Sequence, residues 1–207
     1  ISVLKSELKD IPHVIRSVEW LSFGENRTNA INDPEVDGYA LLSDADFEYF
    51  ITEDALNNLD ADGYLVPMYE DSMVYSLVTL VKAGLDWKYV GKTHEYLNHV
   101  GKDVKALSFD DIHIKHHHDG GSRSDKFTRD LNLLLEDHQE DPENYRTVFY
   151  LAQTCSCLSE YEEAYKYYLL RTKEKGFMEE VFHAYLRSAE IAQNVLNCSI
   201  EEIIYLY

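Results

Sequence analysis

The apolar residues of this chain change period near Asp125, and that change constrains the fold more than any single motif. Ahead of it they come in short runs, VEWLSF (18–23), GYALLS (38–43), GYLVPMY (63–69) and DWKYVG (86–91). Each run is rich in β-branched or aromatic residues and bounded by Gly, Asn, Asp or Pro, which is how strands are written. The helices expected between them are modest, Glu25 to Ile31 and Thr52 to Leu59. Strands separated by helices predict a mixed or parallel α/β sheet covered on both faces. Beyond Asp125 the spacing is helical: Phe127, Leu131, Leu134 and Leu135, then Val148, Leu151, Ala152 and Cys155, then Ala164, Tyr165, Tyr168 and Leu169. The chain therefore divides into an α/β portion, 1–124, and an all-α portion, 125–207.

Helix boundaries in the second portion have side-chain signals. Asp141 followed by Pro142 reads as an N-cap with proline at the first helical position, and Ser159 with Glu162 as a capping box. Gly176 reads as a helix end, and Ser199 with Glu202 as a second capping box. Ala152 and Ala164, with Leu151 before the first and Tyr168 after the second, match the packing positions of a tetratricopeptide-type helical hairpin. Cys155 and Arg171 depart from that pattern, and a weaker unit follows around Tyr185 to Ala189. A lone hairpin cannot bury its own face, so this one is expected to pack on the α/β portion as well as on its neighbour.

With 207 residues, 45% of them hydrophobic, the chain can bury one sizeable core or one core plus a small unit. A formal charge of −19 argues against gripping a phosphate backbone, so no nucleic acid is expected as a partner. No run approaches the roughly 20 apolar residues of a membrane helix, and no leader is seen, which makes the cytoplasm the default location. The chain opens on Ile1 rather than methionine, so a missing upstream segment is expected. Cys155, Cys157 and Cys198 are too few and too awkwardly spaced for a disulfide framework or a zinc site, and are read as reduced structural thiols.

Chemistry is expected at three places. GYALLS delivers Asp44 and Asp46 at the carboxyl end of a strand, where α/β sheets bind ligands. Alternation puts both carboxylates on one side with Ala45 facing away, and a hard divalent cation between them would relieve their repulsion. WKYVGKTHEYL (87–97) brings His94 and Glu95 to the end of another strand, and a partly buried glutamate there suits a general base. HIKHHHDGGSRSDKFTRDLNLL (113–134) sets His116, His117 and His118 ahead of two glycines, then Arg123, Lys126 and Arg129 near a helix start. Imidazole suits a divalent metal, and a glycine-rich turn entering a helix beside basic residues suits an anion.

In order along the chain, VEWLSFGENRTNAI (18–31), GYALLSDADFEYF (38–50), DWKYVGKTHEYL (86–97) and DGGSRSDKFTRDLNLL (119–134) running into DPENYRTVFYLAQ (141–153) resemble a family 2 glycosyltransferase of the GT-A type with C-terminal tetratricopeptide-like helices. The resemblance implies a GT-A-like mixed sheet followed by helical repeats. It also implies metal-dependent, inverting transfer of a sugar from a nucleotide-diphosphate donor, foremost a UDP-sugar, to the hydroxyl of a glycan, lipid or protein. Under it, Asp44 lies near the ribose and the Mn²⁺ or Mg²⁺, Asp46 is the principal metal ligand, and His118 completes the site. Asn26 and Arg27 sit close to the nucleotide, Lys126 and Arg129 steady the diphosphate, and Glu95 is the base. The strand and D-T-G-S-T-D-like loop with which this family begins have no counterpart here, which leaves a sheet edge open. The alternatives are an inactive remnant that binds a protein partner through its helices and, more remotely, a metal-dependent hydrolase using Asp44, Asp46 and the histidines.

Overall fold

The computed structural model describes residues 2–99, 104–117, 125–173 and 176–206. An N-terminal turn of helix, α1 (Ser2–Glu7), leads through extended backbone to α2 (Phe23–Ile31). The strands are β1 (Tyr39–Leu41), β2 (Phe47–Ile51), β3 (Gly63–Glu70), β4 (Met73–Lys82), β5 (Trp87–Val90), β6 (Tyr96–His99), β7 (Ala106–Ser108) and β8 (Ile112–His116). Five helices follow: α3 (Lys126–Glu140), α4 (Tyr145–Cys157), α5 (Tyr161–Arg171), α6 (Met178–Asn194) and α7 (Ile200–Leu206). The coarse division into an α/β portion and a helical portion is thus observed.

The main sheet runs β1-β4-β3-β8-β2, with β7 beside the first half of β3, and β5 and β6 form a separate hairpin. It is mixed, as expected, yet among the described residues only β3–β7 and β3–β8 are parallel. β3 and β4 are joined through Asp71 and Ser72, with Asp71 at φ 49. A tight hairpin needs no crossover helix, so nothing is laid over the sheet at that point. This corrects the expectation of two covered faces: Phe50, Tyr69 and Val74 are exposed, whereas Tyr64, Val66, Met68, Leu80, Ile112 and Ile114 form a buried core. GYALLS is an edge strand, and among the described residues its outer side is unpaired.

β1 and β2 lie on opposite edges although only residues 42–46 separate them. Such a link reaches roughly 20 Å even fully extended, barely more than the roughly 19 Å that four strand spacings of a flat sheet require. The sheet resolves this by curling, which brings the Tyr49 hydroxyl within 2.6 Å of the Leu42 carbonyl, to which it donates.

Several local expectations are corrected. VEWLSF is not a strand: Ser22 caps α2, accepting from the Glu25 N–H at 3.1 Å and donating to its carboxylate at 2.9 Å. Thr52 to Leu59 forms turns, because the Asp54 carboxylate binds the Asn57 side chain at 2.7 Å and so short a segment cannot repay helix nucleation. Asp141 ends α3 instead of starting α4. Its carboxylate accepts from Glu143, and Asn144 takes the capping role, accepting from the Thr147 N–H at 3.3 Å. Ser159 belongs to the end of α4. At φ 63 it turns the chain so that Glu160 N–H reaches the Cys155 carbonyl at 2.8 Å, a Schellman closure that leaves no room for a capping box. α5 ends at Arg171, ahead of Gly176. The Ser199–Glu202 box is as expected, with the Glu202 N–H on Ser199 Oγ at 3.3 Å and the Ser199 N–H on the Glu202 carboxylate at 3.0 Å.

The helices stack in sequence, α3 on α4, α4 on α5, α5 on α6 and α6 on α7. Phe149, Ala152, Cys155, Ala164, Tyr168, Ala184 and Ile191 form their core. Cys155 is a buried free thiol whose pKa burial pushes up to about 11. The expected packing of the hairpin on the α/β portion is present too, Tyr150 of α4 stacking on the His94 ring at 4.2 Å, and α3 adds to it: Lys92 donates its backbone N–H to Asp137 at 2.7 Å and its ammonium to Glu136 and Glu140. No described helix is long and apolar enough to cross a membrane.

Gly24 fixes how α2 approaches the β5–β6 hairpin, since a Cβ there would lie 2.1 Å from the Gly91 carbonyl oxygen. Gly24→Ala is expected to destabilise the chain by about 2–3 kcal/mol, because backbone must move rather than a side chain. A change in the urea midpoint worth under about 0.5 kcal/mol would show that α2 does not sit this close.

Candidate functional site

α2, the turn after β1 and the turn before β6 converge on one ion-paired cluster. Arg27, one helical turn into α2, holds the Asp44 carboxylate with NH2 and donates from Nε to Glu95 at 2.8 Å. Its guanidinium lies 5.5 Å from the centre of the Tyr89 ring. Burial works against the Arg27 charge, but Asp44 and Glu95 outweigh it and its pKa is raised. Glu95 is the most enclosed of the three, its side chain 12% exposed against 33% for Arg27 and 42% for Asp44. Burial raises its pKa, aided by Asp44 and Asp130 and opposed by Arg27. Burial likewise raises Tyr89 and lowers the neighbouring His94. Beside the cluster opens a cavity of about 400 Å³, lined by Arg27, Ile31, Leu41, Leu42, Ser43 and Tyr89.

Asp46 goes elsewhere. The strand that was to carry both carboxylates ends at Leu41, and Ala45 and Asp46 lie in a turn, so alternation no longer aligns them with a common ligand. Asp46 meets His116 Nε2 at 3.2 Å, and the other nitrogen of that ring lies 3.7 Å from Glu70, which accepts from the Tyr75 hydroxyl at 2.6 Å. His117 pairs with Glu48 at 2.7 Å. The histidine brought to Asp46 is therefore His116, while His118 lies outside the described residues. The signal for it was the alternation of IHIKH, which puts His116 on the face of buried Ile112 and Ile114, opposite Phe47 in register. Among the described residues, no group of three or more His, Cys, Asp or Glu side chains is arranged to hold a metal.

The other candidates are placed as follows. Asn26 is engaged with backbone: it accepts the N–H groups of Leu21 and Ser22 at 2.8 and 3.2 Å and donates to the Glu19 carbonyl at 2.9 Å. Lys126 opens α3 and is near enough to His94 to help lower its pKa. Arg129 grips the neighbouring Asp130 at 2.8 Å and lies over the Phe23 ring at 5.0 Å. Asp130 is 2% exposed and acts on both His94 and Glu95; neither it nor Tyr89 has a motif of its own, and a carboxylate among the apolar positions of α3 was its one trace. Set against known proteins, the chain matches no family model and no curated protein.

Proposed function

We propose that the chain is a glycosyltransferase, moving a sugar from a nucleotide-diphosphate donor to an acceptor hydroxyl. The observation that carries this reading is the meeting of Arg27, Asp44 and Glu95 from three distant segments beside a cavity of about 400 Å³. In this scheme the acceptor oxygen attacks the anomeric carbon, the bond from that carbon to the diphosphate breaks, and the acceptor proton passes to Glu95. Enclosure raises the Glu95 pKa, the direction a general base requires. Arg27 fixes the carboxylate in place and offers positive charge at the mouth of the cavity, where a diphosphate would lie. Two carboxylates one residue apart are a donor set that Mn²⁺ or Mg²⁺ accepts, although Asp44 is here committed to Arg27 and Asp46 to His116. To hold the ion, with His118 as the third ligand of this reading, Asp44 would have to release Arg27 and Asp46 to release His116, and the bound ion would supply positive charge to the leaving diphosphate. In the same reading the curled sheet is of the GT-A kind, and α4 and α5, in contact where Ala152 and Ala164 are fully buried, are a tetratricopeptide-like pair.

Addition of UDP and Mn²⁺ at about 100 times Kd should stabilise the native chain by about 2.7 kcal/mol, a rise in Tm of about 5–10 °C for a chain of this size. Asp46→Ala should abolish that rise. An intact chain that melts at the same temperature with and without UDP and Mn²⁺ would remove donor binding from the proposal.

A second reading, an inactive scaffold that binds a protein partner, is favoured by the far end of the helical stack. There Phe182, Tyr185, Leu186, Tyr205 and Leu206 line a groove of about 400 Å³, with Met178 and Ile204 exposed nearby.

A further inference from the structure

The segment that carries Glu95 is gripped from the helical portion. His94 has a left-handed backbone, φ 50, a conformation that a residue with a Cβ keeps only where its surroundings enforce it. Those surroundings come from α4. The His94 ring stacks on Tyr150 at 4.2 Å with 8° between the planes. Arg146, in the first turn of α4, donates from NH2 to the His94 carbonyl at 3.4 Å and from NH1 to the buried carboxylate of Glu180 at 3.2 Å. Its guanidinium packs between the rings of Tyr96, 5.3 Å away, and Tyr150, 4.9 Å away. One planar fork thus ties the peptide preceding Glu95 to α6, and the aromatic residues on either side hold that fork flat.

We infer that Arg146 is a positioning residue for Glu95: by anchoring the His94 carbonyl to Glu180 it keeps the His94–Glu95 peptide in its left-handed turn and the Glu95 carboxylate against Arg27. The inference rests on the reading of Glu95 as the base. It assigns the helical portion a part in the reaction, since α4 then carries the residue that holds the site's base in place, although Arg146 itself touches no substrate. A lysine cannot replace it, because a single ammonium on a flexible stem does not span both the carbonyl and the carboxylate.

Two measurements on the intact chain test this. The first is UDP release from UDP-glucose with Mn²⁺, for wild type, Arg146→Ala, Glu95→Gln and the double variant. Arg146→Ala is expected to lower kcat about 100-fold, the scale of a misplaced catalytic group, with KM for UDP-glucose within about twofold, and to cost nothing further once Glu95 is gone. An equal loss in both backgrounds would mean that Arg146 serves stability alone and would overturn the inference. The second is the NMR ring-current shift of the His94 ring protons under Tyr150, which needs no turnover. It should collapse in Arg146→Ala and in the charge-conserving Arg146→Lys; its survival in either folded variant overturns the inference. Should Glu95→Gln leave UDP release unchanged, or wild type release none, the glycosyl-transfer reading falls, and the ring-current result decides the positioning claim by itself.

Discussion

Glu180→Ala is expected to destabilise the chain by about 3–5 kcal/mol, the cost of leaving a buried charge without its partner. Arg171 is only 2% exposed, and its Nε donates to Glu180 at 3.2 Å while its NH2 reaches the Phe177 carbonyl at the same distance. Glu180 takes Arg146 on its other oxygen, so one carboxylate balances two guanidinium groups at the joint of α4, α5 and α6. Neither Arg171 nor Glu180 is screened by solvent to any extent, and native proteins have only about 5–15 kcal/mol to lose. Urea unfolding at neutral pH would show the loss as a lower midpoint at unchanged slope. The double variant Arg171→Met with Glu180→Leu should recover part of it, because apolar residues of similar volume often replace a buried pair at little cost while Arg146, 35% exposed, can turn to solvent. A single-variant loss under about 1 kcal/mol would mean that water reaches this joint.

Glu95→Gln should lower turnover about 10²- to 10⁴-fold, the range a positioned base contributes, while leaving donor affinity in place. The substitution is nearly isosteric and Arg27 keeps Asp44, so the geometry around the cavity has little reason to change. Its counterpart is a pH profile. A base must be ionised to accept a proton, and burial holds Glu95 above the ordinary carboxylate range, so turnover in wild type should fall as pH drops through that raised value. Glu95→Gln should lose that acid limb along with the activity. If donor binding and turnover vanish together in this variant, Glu95 holds the ligand site and is not the base.

What the sequence disclosed was the period of its apolar residues, and with it the division near Asp125, the α2 segment from Glu25 to Ile31 and the packing of Ala152 against the next helix. What it concealed depended on pairing partners. A three-residue edge strand and an interior strand are written alike, so nothing in GYALLS announced that its carboxylates would separate, Asp44 toward α2 and Asp46 toward β8. Capping motifs were ambiguous wherever two candidates stood close together. Asp141 and Asn144 compete for one helix start, and only the length of the α3–α4 connection decides between them. S-F-G-E at 22–25 carried the same kind of signal as the box at Ser199, but the neighbouring Trp20 and Leu21 made the stretch look extended. Arg27 and Glu95 were visible as motif members; that they would touch each other was a matter of tertiary structure.

Consecutive strands on opposite rims of a curled sheet also impose an order of assembly. Among the described residues β1 docks only on β4, and β2 only on β8, whose own partner is β3, so the residues 42–46 that join them cannot settle until strands far along the chain have found one another. Closing such distant contacts is slow, because the entropy of each large loop must be met before any pairing rewards it. Asp44 is therefore expected to reach Arg27 among the last events of folding, so that the ion-paired cluster is complete only once the sheet has closed.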